Sequence, residues 1–235
     1  MFKVVPSLSA LLQRFFTRLA QRKIHILSTN VMGGRLYEVD LRLRPHGDSG
    51  LVVTSAQALE RYLKHDAWTW EHQALLRARV VAGAPELVTQ VEALRAEVLS
   101  TRRDDVPLAD DVTAMRQKMR DHSLAAGDAS HRVALKYGRG GIVDIEFVVQ
   151  YLVLKHAAHY PDVGRWSDVV RILEALEACR ILSSSDANSL KEAYLGLRSS
   201  VHRAAVSNAS DGDSVETDDL MKQASAVCTR LLPNL

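Results

Sequence analysis

Residues 33–45 read GGRLYEVDLRLRP, and this stretch decides what the first part of the chain can build. Period-two alternation sends Tyr37, Val39, Leu41 and Leu43 to one face and Glu38, Asp40, Arg42 and Arg44 to the other. The spacing predicts a strand over Leu36–Leu43 whose first face is core. The second face has two readings, a solvated surface of mixed charge or a reaction surface. On the latter, Asp40 holds a divalent cation or accepts a proton from an attacking hydroxyl, and Arg42 and Arg44 neutralise phosphate oxygens.

Upstream of this strand, Leu8, Leu11, Leu12, Phe15, Phe16, Leu19 and Ile26 recur at three- and four-residue steps. They predict an amphipathic helix over Ser7–Leu27, with Ser7 or Ser9 as N-cap. Downstream, Pro45–Gly50 (PHGDSG) is a sharp loop before a short apolar strand, Leu51–Val53. Thr54 or Ser55 then caps a helix from Ala56 to Val81, which Gly83 and Pro85 end. Two short strands with flanking helices do not make a stable half of an α/β domain, so a pairing partner for Leu36–Leu43 is expected elsewhere.

Pro85–Leu99 reads as a helix, and Ser100–Asp111 (STRRDDVPLADD) is polar, charged and proline-containing. The expected division is therefore a first domain over residues 1–99, a linker over 100–111 and a second domain over 112–235. Helical periodicity fills the last part, over Val112–His122, Gly141–His156, Ser167–Cys179 and Ser185–Ala204, which predicts a helical bundle. Ala125–Ser130 and Ser207–Thr217 read as loops.

Composition narrows the function classes. Thirty Lys and Arg against 28 Asp and Glu give a net charge of +2, which supplies no field for a polyanion, so nucleic acid is not favoured. Cys179 and Cys228 stand alone, which argues against a zinc site or a disulfide framework and fits a reducing, cytoplasmic location. The N-terminal apolar runs are broken by Gln13, Arg14 and Arg18, unlike a targeting peptide. No run approaches the ~20 apolar residues that cross a bilayer, so a membrane is not an expected partner. Neither an H-E-x-x-H metal pattern nor a G-x-S-x-G elbow is present.

Three further segments carry candidate chemistry. Trp68–Val81 (WTWEHQALLRARVV) puts aromatic, acidic and basic groups on one helix. Its tryptophans plug an interface with Glu71 paired to an arginine, or Arg77 or Arg79 reaches the phosphates of a nucleotide bound over the charged strand. Gly138–Gln150 (GRGGIVDIEFVVQ) lacks P-loop spacing, so its glycines are expected to permit close packing. Asp144 and Glu146, in this apolar helix, need partners, with Arg139 and Lys136 nearest in sequence. In Trp166–Leu173 (WSDVVRIL), Ser167 is the expected N-cap, with Asp168 in the first turn.

Taken in series, YEVDLRLRP (37–45), GLVVTS (50–55), AWTWEHQALLRARVV (67–81), GGIVDIEFVVQ (140–150) and RWSDVVRIL (165–173) resemble the carboxy-terminal half of bacterial glutamine synthetase adenylyltransferase. Members of that family have two similar nucleotidyltransferase halves, one adding AMP to a tyrosine of glutamine synthetase and one removing it. WTWEHQALLRARV and RWSD resemble the adding half. The resemblance implies an α+β, mainly α chain: part of a DNA polymerase β-like nucleotidyltransferase sheet followed by a helical bundle. It implies ATP as substrate, Mg²⁺ as cofactor, and glutamine synthetase, a PII-type signalling protein and an upstream domain of the same enzyme as partners. Asp40 matches the third carboxylate of the family's metal set. The first two belong to a G-S-x-x-D-x-D type motif that has no counterpart before Asp40. The chain by itself is thus expected to lack the paired metal-binding carboxylates and to be inactive. The alternative is a non-catalytic helical module that binds glutamine synthetase or a PII-type protein.

Overall fold

The computed structural model describes residues 8–35, 38–41, 43–125, 130–207 and 214–235. The chain divides into two compact units, Met1–Ala67 and Trp68–Leu235. It is mainly α-helical with, among the described residues, one small antiparallel strand pair, the α+β, mainly α class expected.

In the first unit, helix α1 (Leu8–Ser28) forms where the apolar spacing predicts it. Its apolar positions nevertheless stay exposed at Leu11, Leu12, Phe15, Phe16, Leu19 and Ile26. Strands β1 (Asn30–Val31) and β2 (Gly34–Arg35) pair antiparallel through Asn30↔Arg35 and Val31↔Gly34, and Gly34 supplies the positive φ of 98° that this tight turn needs. The strand expected over Leu36–Leu43 is not formed at Glu38–Leu41, which has no regular secondary structure; Leu36, Tyr37 and Arg42 lie outside the described residues. Leu51–Val53 is likewise not a strand. Among the described residues no further strand is available to pair with either segment, and an unpaired strand leaves its N–H and C=O groups without ladder partners. Helix α2 (Ala56–His65) starts at Ser55, whose hydroxyl accepts from the Ala58 N–H at 3.1 Å.

The single helix expected from Ala56 to Val81 is two. The Asp66 N–H closes α2 on the Tyr62 carbonyl, and α3 (Thr69–Arg77) starts anew with Glu71 Oε2 accepting from the Trp68 N–H at 2.9 Å. Local capping at Asp66–Trp68 thus outweighs the continuous apolar periodicity. Trp68 is 70% exposed.

The second unit contains α3, α4 (Pro85–Leu99), α5 (Asp105–Ala125), α6 (His131–Tyr137), α7 (Ile142–His156), α8 (Val169–Ala178), α9 (Ser184–Ser207) and α10 (Ser214–Leu231). Helix α5 occupies much of the stretch read as a linker, and its Leu108 and Val112 are buried. Helix α7 is the axis. Every residue from Ile142 to Leu154 except Glu146 is buried, as expected for a helix apolar all round, and α3, α5, α6, α8, α9 and α10 pack on it. Gly140, just before α7, has φ 72°, and a Cβ there would lie 1.9 Å from the Met221 carbonyl oxygen of α10. The glycines serve close packing, as the sequence implied. The cap of α8 is Asp168 and not Ser167: Asp168 Oδ1 accepts from the N–H groups of Val170 and Arg171, both at 3.1 Å. No helix is long and apolar enough to cross a membrane among the described residues.

Candidate functional site

The segment carrying Asp40 keeps its alternation without being a strand. Glu38 and Asp40 are exposed while Val39 and Leu41 are half-buried, so side-chain amphipathicity survives where the ladder does not. Arg44 fixes the loop immediately after Asp40. Its Nη1 donates to the Leu41 carbonyl at 2.6 Å and its Nε to the Gly50 carbonyl at 3.4 Å. The loop closes further through Gly47 N–H to the Arg44 carbonyl at 2.8 Å and Gly50 N–H to the Gly47 carbonyl at 3.1 Å. His46 takes a left-handed conformation, φ 63°, with its ring edge-on to Tyr62 at 4.8 Å. A Cβ at Gly50 would fall 1.9 Å from the Pro45 carbonyl oxygen, so only glycine lets this loop fold back on itself. Asp40 is thereby presented at the edge of a constrained loop.

Divalent-cation sites gather several oxygen ligands. Among the described residues no group of three or more His, Cys, Asp or Glu side chains can hold a metal ion. The residues present therefore do not form a Mg²⁺ site by themselves; Asp40 is one candidate ligand of a set.

The other arginines singled out from the sequence belong to the second unit. Arg77, at the end of α3, pairs with Glu146 of α7, Nη1 to Oε1 at 2.6 Å. The same carboxylate oxygen accepts from the Tyr194 hydroxyl of α9 at 3.2 Å, and Arg198 Nη1 donates to that hydroxyl at 3.4 Å. Burial, with the Glu146 charge, pushes the Tyr194 hydroxyl above its ordinary pKa, which keeps it a donor. Arg79 lies exposed just beyond α3. Arg42 lies outside the described residues.

Asp144 is held by residues that sequence reading did not identify. Arg116 Nε lies 2.5 Å and Arg120 Nη2 3.3 Å from its Oδ1, and its Oδ2 accepts from the Gly140 N–H at 2.7 Å. Arg116 Nη2 also donates to the Tyr137 carbonyl at 2.6 Å. Burial pulls the Arg116 guanidinium below its ordinary pKa while Asp144 opposes the shift. Two more arginines act as clamps. Arg103 donates to the carbonyls of Val98 and Leu99 at the end of α4, at 2.9 and 3.2 Å, and meets His72 Nδ1 at 3.3 Å. Arg95 donates to the carbonyls of Leu75, Leu76, Gly164 and Trp166. An acidic residue inside an apolar helix signals that a cation must come to it, but not from which helix.

Clefts open on this unit among the described residues. One of about 770 Å³ runs along α10 past Arg139, Met221, Lys222, Ser225 and Arg230. Another, of about 470 Å³, is lined by Arg102, Arg103, Asp105, Lys155, His156 and His159.

Comparison with known proteins separates the two parts of the chain. Residues 8–94 match the family model described as glutamate-ammonia ligase adenylyltransferase, and residues 113–230 match that described as GlnD PII-uridylyltransferase. A bifunctional glutamine synthetase adenylyltransferase/adenylyl-removing enzyme of Hahella chejuensis is 46% identical over 214 residues, covering 90% of this chain and 22% of the relative. The protein of the same description from Pseudomonas putida is 48% identical over 203 residues, covering 82% of this chain and 21% of the relative.

Over residues 8–94 the chain is similar to the glutamate-ammonia ligase adenylyltransferase family.

It spans about a fifth of the length of the family relatives it matches. The adenylyltransferase match contains the Asp40 segment and α1 to α3, whereas the uridylyltransferase match runs from within α5 to α10 and contains Arg116, Asp144, Glu146 and Tyr194. The part read as chemistry and the part read as a helical bundle thus match different family models.

Proposed function

We propose that this chain is a module of an enzyme that transfers AMP from ATP to a tyrosine of glutamine synthetase and so regulates nitrogen assimilation. The observation that carries the reading is Asp40: a carboxylate exposed at the edge of a glycine-pinned loop, inside the stretch similar to adenylyltransferases. In the transfer, the tyrosine oxygen bonds to the α-phosphorus, the bond from that phosphorus to pyrophosphate breaks, and the hydroxyl proton must leave. Asp40 accepts that proton, directly or through water.

Arg44 supports this loop through Leu41 and Gly50, so its first task is to position Asp40, with phosphate contact its second. We assign Arg42 and Arg79 to phosphate contact, and Arg77 to it only if its pair with Glu146 opens. Residues 1–99 are read as the later part of a nucleotidyltransferase domain and 112–235 as its helical companion. Mg²⁺ and ATP belong to this reading through the family. On this reading the further carboxylates of the cation site come from outside the described residues, and this chain by itself is expected to be inactive.

A second reading is favoured by the match of residues 113–230 to a PII-uridylyltransferase model: a non-catalytic helical module that binds glutamine synthetase or a PII-type protein. Replacing Asp40→Ala in an enzyme of the relatives' length that contains this chain separates the two. The adenylyltransferase reading expects loss of AMP transfer with glutamine synthetase binding retained. Unchanged transfer would favour the binding module.

A further inference from the structure

Helix α1 turns its bulk away from its own unit. Leu12, Phe15, Leu19 and Ile26 recur at the spacing of a single stripe, with Leu11 and Phe16 beside it. All six are exposed, Phe15 by 61% and Ile26 by 68%. The residues that α1 does partly bury, Gln13, Thr17, Ala20, Ile24 and Leu27, lie on the opposite side. There Gln13 Nε2 donates to the Val53 carbonyl at 2.5 Å, which ties α1 to the segment before α2. The side that carries both phenylalanines is thus turned outward, the reverse of a surface helix that has found its partner.

Charge on this helix is of one sign. Arg14, Arg18 and Arg22 run along one flank of the apolar stripe and Lys23 stands on the other, and α1 contains no Asp or Glu. The excess survives a count of everything around it: residues 1–67, the whole first unit, hold ten Lys and Arg against five Asp and Glu. One of those five, Glu60, is already paired with Lys64 at 2.8 Å. Such a face selects an apolar surface rimmed by carboxylates, and it repels a second copy of itself, which would set two helices of like charge side by side. An anionic lipid layer has the charge but not the backbone. Glu38–Leu41 of the same unit alternates as a strand with no strand to pair with among the described residues, and only another stretch of polypeptide supplies one.

The relatives indicate where that stretch comes from. The matches cover 22% and 21% of their length, so most of the polypeptide in which such a unit works lies outside the matched part. Residues 8–94, similar to adenylyltransferases, hold α1 and Asp40 together. We propose that the outward face of α1, Leu12, Phe15, Leu19 and Ile26 with Arg14, Arg18 and Arg22, is the seat of another segment of the same longer polypeptide, an apolar surface rimmed by carboxylates. This rests on the proposed function in one respect, that the chain is a module of a longer enzyme.

The test places the photo-crosslinking residue p-benzoylphenylalanine at Phe15, and separately at Leu19, in an enzyme of the relatives' length containing this chain. Arg61 of α2, exposed in the same unit, is the control position. Linked peptides are identified by mass spectrometry after irradiation. The expected result is linkage from Phe15 and Leu19, at about five times the control yield or more, to a segment of the same polypeptide outside these 235 residues that carries Asp or Glu near the link. Arg14→Gln/Arg18→Gln/Arg22→Gln should lower that yield about threefold, and the corresponding lysine variant should restore it. Linkage to residues 68–235 would overturn the proposal, as would linkage to a second copy, seen as a doubled mass. No linkage above the control would also overturn it, whether or not the enzyme sediments with phosphatidylglycerol vesicles. A yield unchanged by the glutamine variant would contradict the carboxylate rim. No step needs ATP, so an enzyme that links as expected but transfers no AMP would contradict the proposed function and leave this interface standing. Transfer without linkage would do the reverse.

Discussion

Arg116 Nε lies 2.5 Å from Asp144 Oδ1, and the Arg116 side chain has no exposed surface. This pair joins α5 to the start of α7, the helix on which the second unit is built. Removing one partner leaves the other charge buried without its counter-ion, which typically costs about 3–5 kcal/mol. Asp144→Asn should therefore lower the unfolding free energy by an amount of that order, seen as a lower denaturant midpoint with little change in m-value, and urea unfolding followed by circular dichroism checks it.

Gly140 bears a different load. Its φ of 72° and the 1.9 Å approach a Cβ would make to the Met221 carbonyl oxygen mean that Gly140→Ala meets both backbone strain and a collision with α10. The expected loss exceeds the ~1–3 kcal/mol of the backbone conformation alone. Hydrogen exchange should speed first in the amides of α10 around Met221 and Ser225, ahead of those at the centre of α7.

Neither of these contacts was legible in the sequence, although α7, at whose start both lie, was. Periodicity placed α1, α4, α7 and α9 to within a few residues, because an apolar stripe records burial directly. It also showed that Asp144 and Glu146 needed partners. The nearest cations in sequence, Lys136 and Arg139, are not the ones used; Arg116, Arg120 and Arg77 arrive from other helices, a choice made by packing. Helices α6 and α10 escaped notice because their apolar positions are few among polar ones, although Ala224, Val227 and Cys228 of α10 are buried. The alternation around Asp40 holds only over Glu38–Leu41, since Leu43, expected inward, is 68% exposed and Arg44, expected outward, is partly buried; a strand also needs a neighbour to pair with, which alternation does not report. The role of Arg44 in pinning that loop depends on two carbonyls that only the fold brings to it.

The two cysteines should differ in reactivity. Burial pushes the Cys228 thiol up to about 12, while Cys179 is only partly buried. Since the thiolate is the reactive form, a thiol reagent at pH 8 should label Cys179 in the native chain and Cys228 only on unfolding. Peptide mass mapping of native and denatured samples checks this. Fast native labelling at Cys228 would contradict the packing of α10.

His156 gives the second unit an acid-side sensitivity. Burial, followed by the Lys155 charge, holds its pKa below the ordinary histidine value, outweighing Asp105. The unfolded chain therefore binds a proton at higher pH than the folded one. Stability carried by neutral His156 is complete above the unfolded pKa near 6.5 and declines as pH falls from there toward the lowered folded value. His156→Gln should flatten this part of the stability–pH profile, as thermal unfolding between pH 7.5 and about 5 would show.

On the proposed function, Asp40 belongs to an AMP-transfer site whose other carboxylates lie outside the described residues. The direct measurement is transfer of label from α-labelled ATP to unmodified glutamine synthetase in the presence of Mg²⁺, comparing this 235-residue chain, an enzyme of the relatives' length containing it, and that enzyme with Asp40→Ala. Label is expected only with the longer wild-type enzyme, with a loss of at least about a thousandfold on removing the Asp40 carboxylate. Label transferred by the 235-residue chain alone, or by the Asp40→Ala enzyme at the wild-type rate, would contradict it.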